Sequence, residues 1–433
     1  MAKKTNKTTE ADEITKAILE DEDLNPTDPE EISGDPTEKS DEEIEKELIS
    51  EYLEKTSRKS AIETLESNIE TIRQGYRQIW RSGINGLDDL LSGGFHAKRL
   101  YFLGAISSLG KTSLALQIAD NIAESGRDVL IFSLEMDSDE LLSKSISRET
   151  YLLSCGLKEK EKYRLTTQEI LNGEIGSPGD EKRALFDEAL EKTRKLNDHL
   201  FYYIGENDVD VDTIGAVVEL HRKARNQSPL VIVDYLQILR PTEDAVSRRL
   251  DKRLLTDDDV TKLKVLARDH QIPVLVISAF NRESYLVPVT MTSFRESSGI
   301  EYSSDVLIGL QYTNMDYKKR YITTESGNRK QVPESKKDHE QRVRELFDKM
   351  DKSERRPIEL KVLKSRVGTK GSVFLDFVAP YSVYEETGTD KTRPRDFFSV
   401  LSGDDYNPYE DETEDDEKAT IVNGESVKVI GER

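Results

Sequence analysis

The stretch Leu100-Tyr101-Phe102-Leu103-Gly104-Ala105-Ile106-Ser107-Ser108-Leu109-Gly110-Lys111-Thr112-Ser113 constrains the fold of this chain more than any other. Residues 100–103 form an apolar run of strand length. After Ser113 the period changes: Leu114, Ile118 and Ile122 lie four apart with Ala115 and Ala119 beside them, which makes one apolar helix face. Gly126 then supplies the residue that most easily takes the left-handed conformation at a helix end. Strand, tight loop and helix therefore frame residues 105–112, which fit the Walker A pattern with Ala105 in place of the first Gly.

Such a loop wraps an anion in successive backbone N–H groups, and the helix N-terminus adds its positive dipole end. The candidate nucleotide contacts are Ala105, Ser107, Ser108, Gly110, Lys111, Thr112 and Ser113. Gly110 lets the backbone approach the phosphates, Lys111 reaches the β- and γ-phosphates, and Thr112 offers its hydroxyl to Mg2+. A chance Gly-Lys-Thr in a surface loop would lack the flanking strand and helix. The expected ligands are ATP and Mg2+.

Two carboxylates extend the pattern. Residues 129–133 read as a buried strand followed by Leu134-Glu135-Met136, so Glu135 lies where open α/β sheets bind ligands. It is the candidate to orient and polarise an attacking water; the bland alternative is an acid at a helix start. Leu230-Val231-Ile232-Val233-Asp234 is an apolar strand ending in an acid, the Walker B arrangement, in which Asp234 helps to hold Mg2+.

Further apolar strands fall at 200–204, 273–278, 306–310, 358–363 and 372–377, with mainly helical sequence over 139–225 and 260–270. The last two strands read as a hairpin closing the sheet. The expected class is α/β with a largely parallel central sheet. Residues 241–259 read as a basic loop carrying Arg248, Arg249, Lys252 and Arg253. Such a loop tracks a phosphate backbone or is a solvated face, and composition leaves both open. Residues 313–357 read as a charged insertion ending in a helix over 339–350.

The formal charge of −22 opposes nucleic-acid binding until its distribution is considered. Residues 1–55 carry −12 and residues 402–433 carry −8, which leaves −2 for the body between them. Residues 1–40 and 401–433 are expected to be disordered acidic tails, and 41–80 a helical linker with amphipathic spacing over 41–74. No run has the length of a membrane span, and the N-terminus lacks a signal-peptide pattern, so the cytoplasm is the expected location. Cys155 is the single cysteine, which excludes an intrachain disulfide.

Residues 81–385 resemble the ATPase domain of DnaB-type replicative helicases, within the RecA-like superfamily. The resemblance rests on residues 105–112, Phe132-Ser133-Leu134-Glu135-Met136, Asp234-Tyr235-Leu236-Gln237, Asn281-Arg282, Arg295-Glu296-Ser297-Ser298-Gly299-Ile300-Glu301 and Lys364-Ser365-Arg366. It implies a homo-oligomer, usually a hexameric ring, that threads single-stranded DNA and moves 5′ to 3′. ATP would lie between subunits, and Glu135 would be the catalytic carboxylate. Lys364 and Arg366 would reach the neighbour's site as an arginine finger does. Arg295, Glu296 and the backbone at Ser298 would contact DNA phosphates, with Arg248 and Arg249 as further candidates. A helicase loader and primase are the further candidate partners.

Three features depart from the family pattern. Ala279 stands where the family commonly has Gln, which bears on γ-phosphate sensing. The Arg-Glu-Ser-Gly element is Arg-Glu-Ser-Ser-Gly, so Ser298 is the small residue near phosphate. The family's helical N-terminal domain, which forms a collar and helps to recruit primase, has no counterpart in the match. Two alternatives to a helicase stay open: a RecA-like DNA-binding ATPase that does not unwind, and a module whose nucleotide only controls assembly.

Overall fold

The computed structural model describes residues 78–205, 209–248, 251–294, 297–323 and 329–389, helical residues scattered between 46 and 70, and two short strands, Thr420–Val422 and Glu425–Val427. The chain divides into two units, Met1–Arg77 and Gln78–Arg433. In the first, every described residue is helical. The expected tail at 1–40 and most of 401–433 lie outside the described residues, as do Arg249, Arg295 and Glu296.

The second unit begins with β1 (Ile79–Trp80), α1 (Asn85–Leu90) and β2 (Phe95–His96). Then come β3 (Leu100–Ala105), α2 (Lys111–Glu124), β4 (Val129–Ser133) and α3 (Ser138–Ser154). The helices α4 (Thr167–Leu171) and α5 (Glu181–Leu196) lead to β5 (Leu200–Ile204), α6 (Val211–Arg225) and β6 (Leu230–Asp234). Next are α7 (Glu243–Ser247), α8 (Lys252–Asp269), β7 (Val274–Ala279), α9 (Ser297–Ser303) and β8 (Val306–Tyr312). Last are the hairpin β9 (Lys319–Thr323) and β10 (Arg329–Pro333), α10 (Lys336–Asp351), β11 (Arg355–Ser365), β12 (Gly371–Val378) and β13 (Val383–Thr389).

Nine strands make one sheet in the order β13-β12-β11-β8-β3-β7-β6-β4-β5. The six from β8 to β5 are parallel and the three at the other edge antiparallel, so the expected α/β class with a largely parallel sheet is what the chain adopts. Strand alternation explains why the inner strands are apolar throughout. Tyr101, Leu103 and Ala105 of β3 pack with α2 on one face. Leu100 and Phe102 point to the other, with Val211, Ile214 and Val218 of α6 and Val260 and Leu263 of α8. Each large side chain buried in this way contributes about 1.5–3 kcal/mol.

Three expectations change. Residues 241–259 are not a loop. Thr242 caps α7 by accepting from Ala245 N, and Asp251 caps α8 by accepting from Arg253 N and Leu254 N. These are ordinary side-chain caps, outweighed in the sequence by the run of charge. The insertion after β8 holds a hairpin as well as its helix, which begins at Lys336 rather than 339. The closing hairpin gains a third strand, β13, whose Tyr384 N and O bond the side chain of Gln117 on α2.

Candidate active site

The loop between β3 and α2 adopts the conformation its residues dictate. Gly110 caps α2 at φ 84°, and a Cβ there would lie 2.4 Å from Tyr384 Oη. Only glycine combines that backbone with that approach. Tyr384 Oη donates to Leu109 O at 2.7 Å and its ring stacks on Phe377, which fixes the loop from the antiparallel edge. Ser107 and Ser108 are exposed at the loop tip, Ser108 at φ 62°. Ala105 ends β3, level with Ala279 of β7.

Lys111 folds back so that Nζ donates to Ala105 O (3.2 Å) and Ile106 O (3.1 Å). Burial lowers its pKa, against the opposing attraction of Asp234 and Glu135. Thr112 Oγ1 donates to Asp234 Oδ2 at 2.7 Å. Ser113 is buried within the first turn of α2. Asp234 is 3% exposed, and burial pushes its carboxyl up to about 6; the Thr112 bond opposes this and the Glu135 charge adds to it. A hydroxyl and a carboxylate side by side are hard oxygen donors of the kind Mg2+ selects.

These groups open into a cavity of about 810 Å3 lined by Ser107, Gly110, Lys111, Thr112, Glu135 and Asp234. Glu135 is exposed there at the end of β4. Its loop is held by Ser133 Oγ donating to Met136 O (2.6 Å) and Leu134 N donating to Asp234 O (2.8 Å). The structure thus brings together the phosphate-loop residues and both carboxylates singled out in the sequence.

It adds residues that sequence reasoning missed. Lys144, in the second turn of α3, lines the cavity; burial lowers its pKa against the pull of Glu140 and Asp234. Arg356 reaches the cavity from β11, beside Phe377, Ala379 and Ser382. Tyr285 also lines the cavity, beside the Asn281-Arg282 pair that the sequence had already marked. Lys144 lies nine residues after Glu135 on a capped helix, a signal available in the sequence. Arg356 had none, because its place depends on the pairing of β11 with β12, where it lies opposite Phe377. At Ala279 the backbone N donates to Gln237 Oε1 at 3.4 Å, and Gln237 Nε2 donates to Ser278 Oγ at 3.0 Å.

Lys364 and Arg366 stand away from this cavity. Ser365 pairs with Val306, which pairs with Tyr101, so they flank the end of the sheet opposite the phosphate loop. Lys364 Nζ donates to Glu301 O, and Arg366 Nη2 donates to Tyr302 O at 3.3 Å, both on α9. The fully buried Asp305 organises this end: it accepts from Leu100 N (2.8 Å), Arg99 Nη1 (3.3 Å) and Lys264, and lies 3.7 Å from Arg366 Nη1. Ser298 belongs to α9. Arg248 is held by Asp244 (2.8 Å) and Asp258 (2.7 Å).

A phosphate loop following an inner strand of a mostly parallel sheet, with acids at the ends of β6 and β4 farther along that sheet, fits the RecA-like ATPase fold. The family model for the DnaB-like helicase C terminal domain matches residues 80–386, and the chain belongs to that family. Curated relatives include the replicative DNA helicase DnaB of Helicobacter pylori strain J99, 25% identical over 71% of this chain and 60% of that protein. The DnaB of Geobacillus stearothermophilus is 24% identical over 70% of this chain and 55% of the relative. The chain thus spans rather more than half the length of these relatives. Among solved structures, one ATPase domain superposes with a TM-score of 0.58 at 20% identity, covering 76% of this chain and 98% of that one. A DnaB-like replicative helicase, described with its interactions with primase, gives 0.58 at 20% identity over 78% of this chain and 70% of that one. Among the described residues no helix is long and apolar enough to cross a membrane.

Proposed function

We propose that this chain is an ATP-dependent DNA helicase that hydrolyses ATP between subunits of a ring. The convergence of Lys111, Thr112, Glu135 and Asp234 on one cavity carries the reading, together with family membership. Lys111 binds the β- and γ-phosphates, Glu135 orients the attacking water, and Thr112 and Asp234 hold Mg2+. When bound, Mg2+ would neutralise charge on the phosphates. Lys144 lies on the same side as Glu135 and Asp234 and adds positive charge to the phosphate region.

Lys364 and Arg366 lie at the far end of the sheet from their own cavity, which suits completion of a neighbour's site. Hydrolysis then depends on assembly, the hexameric ring being the expected form. Single-stranded DNA is the track, contacted by Arg295, Glu296 and Ser298, with Arg248 and Arg249 beside it. A loader and primase are proposed partners on family grounds alone.

The test is ATP turnover with and without single-stranded DNA. The reading expects turnover that rises with DNA and vanishes in Lys111→Ala; turnover indifferent to DNA would overturn it. Ala279 favours one rival, a DNA-stimulated ATPase that does not unwind, because a methyl group cannot report the γ-phosphate as an amide does.

A further inference from the structure

Part of the segment between β8 and β11 is strongly basic. Residues 317–337 hold seven Lys/Arg and two Asp/Glu, in a protein whose formal charge is −22. The excursion leaves the sheet at the phosphate-loop end of the parallel strands and returns beside it, Tyr312 pairing with Ile358.

Its root is rigid. Lys318 and Glu334 exchange bonds across the base of the β9–β10 ribbon: Glu334 N donates to Lys318 O (2.7 Å) and Lys318 N to Glu334 Oε1 (3.0 Å). Arg342 Nε donates to both Glu334 oxygens at 3.2 Å, while its other nitrogens donate to Asn314 O (2.6 Å) and Asp316 O (2.8 Å). Tyr317 stacks on the buried His339 with centroids 3.8 Å apart. Below this clasp α10 buries Val343 and Met350 in the core, and its Phe347 meets Tyr312 edge-on. Phe347 also shares a small cavity with Ile106 of the phosphate loop. The ribbon therefore stands on packing that is continuous with the nucleotide site.

Lys318, Lys319, Lys336 and Lys337 are exposed around this clasp. Two of the acids nearby are engaged inside the root, Glu334 by Arg342 and Asp316 by Lys361 (3.1 Å), and Glu340 lies 4.0 Å from Lys336. Lys336 and Lys337 also open α10, where the helix dipole disfavours cations. The arrangement costs stability in isolation, and a polyanion laid across it offsets that cost.

We propose that the base of the β9–β10 ribbon, with Lys318, Lys319, Lys336 and Lys337, is a contact surface for the phosphodiester backbone of nucleic acid, at the opposite end of the sheet from Lys364 and Arg366. This rests on the DNA-helicase reading above and adds a surface that reading does not assign.

The experiment is fluorescence anisotropy of labelled single-stranded and duplex DNA with the full chain across a salt series. The variant carries Lys318→Gln, Lys319→Gln, Lys336→Gln and Lys337→Gln. A control removes the same charge elsewhere through Lys158→Gln, Lys162→Gln, Arg194→Gln and Lys195→Gln. The inference expects at least about tenfold weaker binding by the variant than by the control. It also expects a shallower plot of log affinity against log salt. For each phosphate left without its lysine, the slope should drop by about 0.7 on single strands and about 0.9 on duplex. The DNA form with the larger change identifies the strand held. Labelled ATP should bind the variant normally, which excludes misfolding. Variant and control binding alike, while wild type binds DNA, would overturn this inference alone. Tighter binding by the variant would also overturn it, since the lysines would then be holding an acidic segment. Wild type binding neither DNA would overturn the helicase reading with it.

Discussion

Thr112 Oγ1 and Asp234 Oδ2 meet at 2.7 Å, which joins the first turn of α2 to the end of β6 across the intervening strand. β3 and β6 are not neighbours; β7 lies between them. The bond therefore depends on the whole parallel order, and it sets two oxygen donors side by side, the pair proposed to hold Mg2+. Replacing Asp234 by Asn keeps the shape and removes the charge. Mg2+ affinity measured by titration calorimetry with a nucleotide present should fall about 10- to 100-fold or more. An unchanged affinity would remove Asp234 from the metal site.

The raised carboxyl of Asp234 gives a pH signature. Its pKa moves from 3.8 to about 6 on folding, so between those values the native chain holds a proton that the unfolded chain has released. This contribution makes stability fall as pH rises from about 4 to 6, with no further change above. Mg2+ binding by the folded chain needs the ionised form and should rise as pH passes through about 6. Asp234→Asn should flatten both curves, in chemical denaturation and in metal titration; a curve identical to wild type contradicts the assignment.

Lys144 is one of the cavity cations that sequence reasoning missed. Lys144→Met removes its charge from beside Asp234 and Glu135, and a charge-assisted bond to phosphate is typically about 1.5–3 kcal/mol. Turnover per ATP bound should drop by at least about tenfold, with Lys144→Arg recovering part of it. Equal rates in Lys144→Met and wild type would reduce Lys144 to a packing residue.

Asp305 ties Arg366 to β3, β8 and α8. Asp305→Ala strands Lys264 and the Leu100 N–H without their buried acceptor, a change of about 3–5 kcal/mol for a broken buried ion pair. Urea unfolding measures it; a loss under about 1 kcal/mol would show that water replaces the carboxylate.

Under the proposed function Arg366, which lies at the far end of the sheet from its own cavity, serves a neighbouring subunit. Inactive Arg366→Ala and inactive Glu135→Ala chains, mixed into one assembly, should regain ATP turnover at sites where an intact carboxylate meets an intact arginine. Such fingers are worth about 10³–10⁵ in rate. Mixed assemblies that form and stay inactive contradict action in trans.

The sequence carried the local parts of this site and not the long-range ones. Lys111, Thr112, Glu135 and Asp234 were legible because each sits at a junction that a short pattern marks: strand to loop, or strand to acid. The apolar runs of β3 and β4 likewise announced a sheet covered on both faces. Arg356 and β13 were not legible, since both owe their positions to antiparallel pairing across the far edge. The caps Thr242 and Asp251 were present in the sequence, yet the run of charge around Arg248 concealed two helices.

Strand separation of a forked DNA duplex with a 5′ tail, with ATP and Mg2+, tests the central claim most directly. The account predicts unwinding that Lys111→Ala abolishes, and Ala279 would then be a tolerated residue in the coupling of hydrolysis to movement. ATP hydrolysis stimulated by DNA but without any strand separation would contradict it and leave a remodelling ATPase in its place.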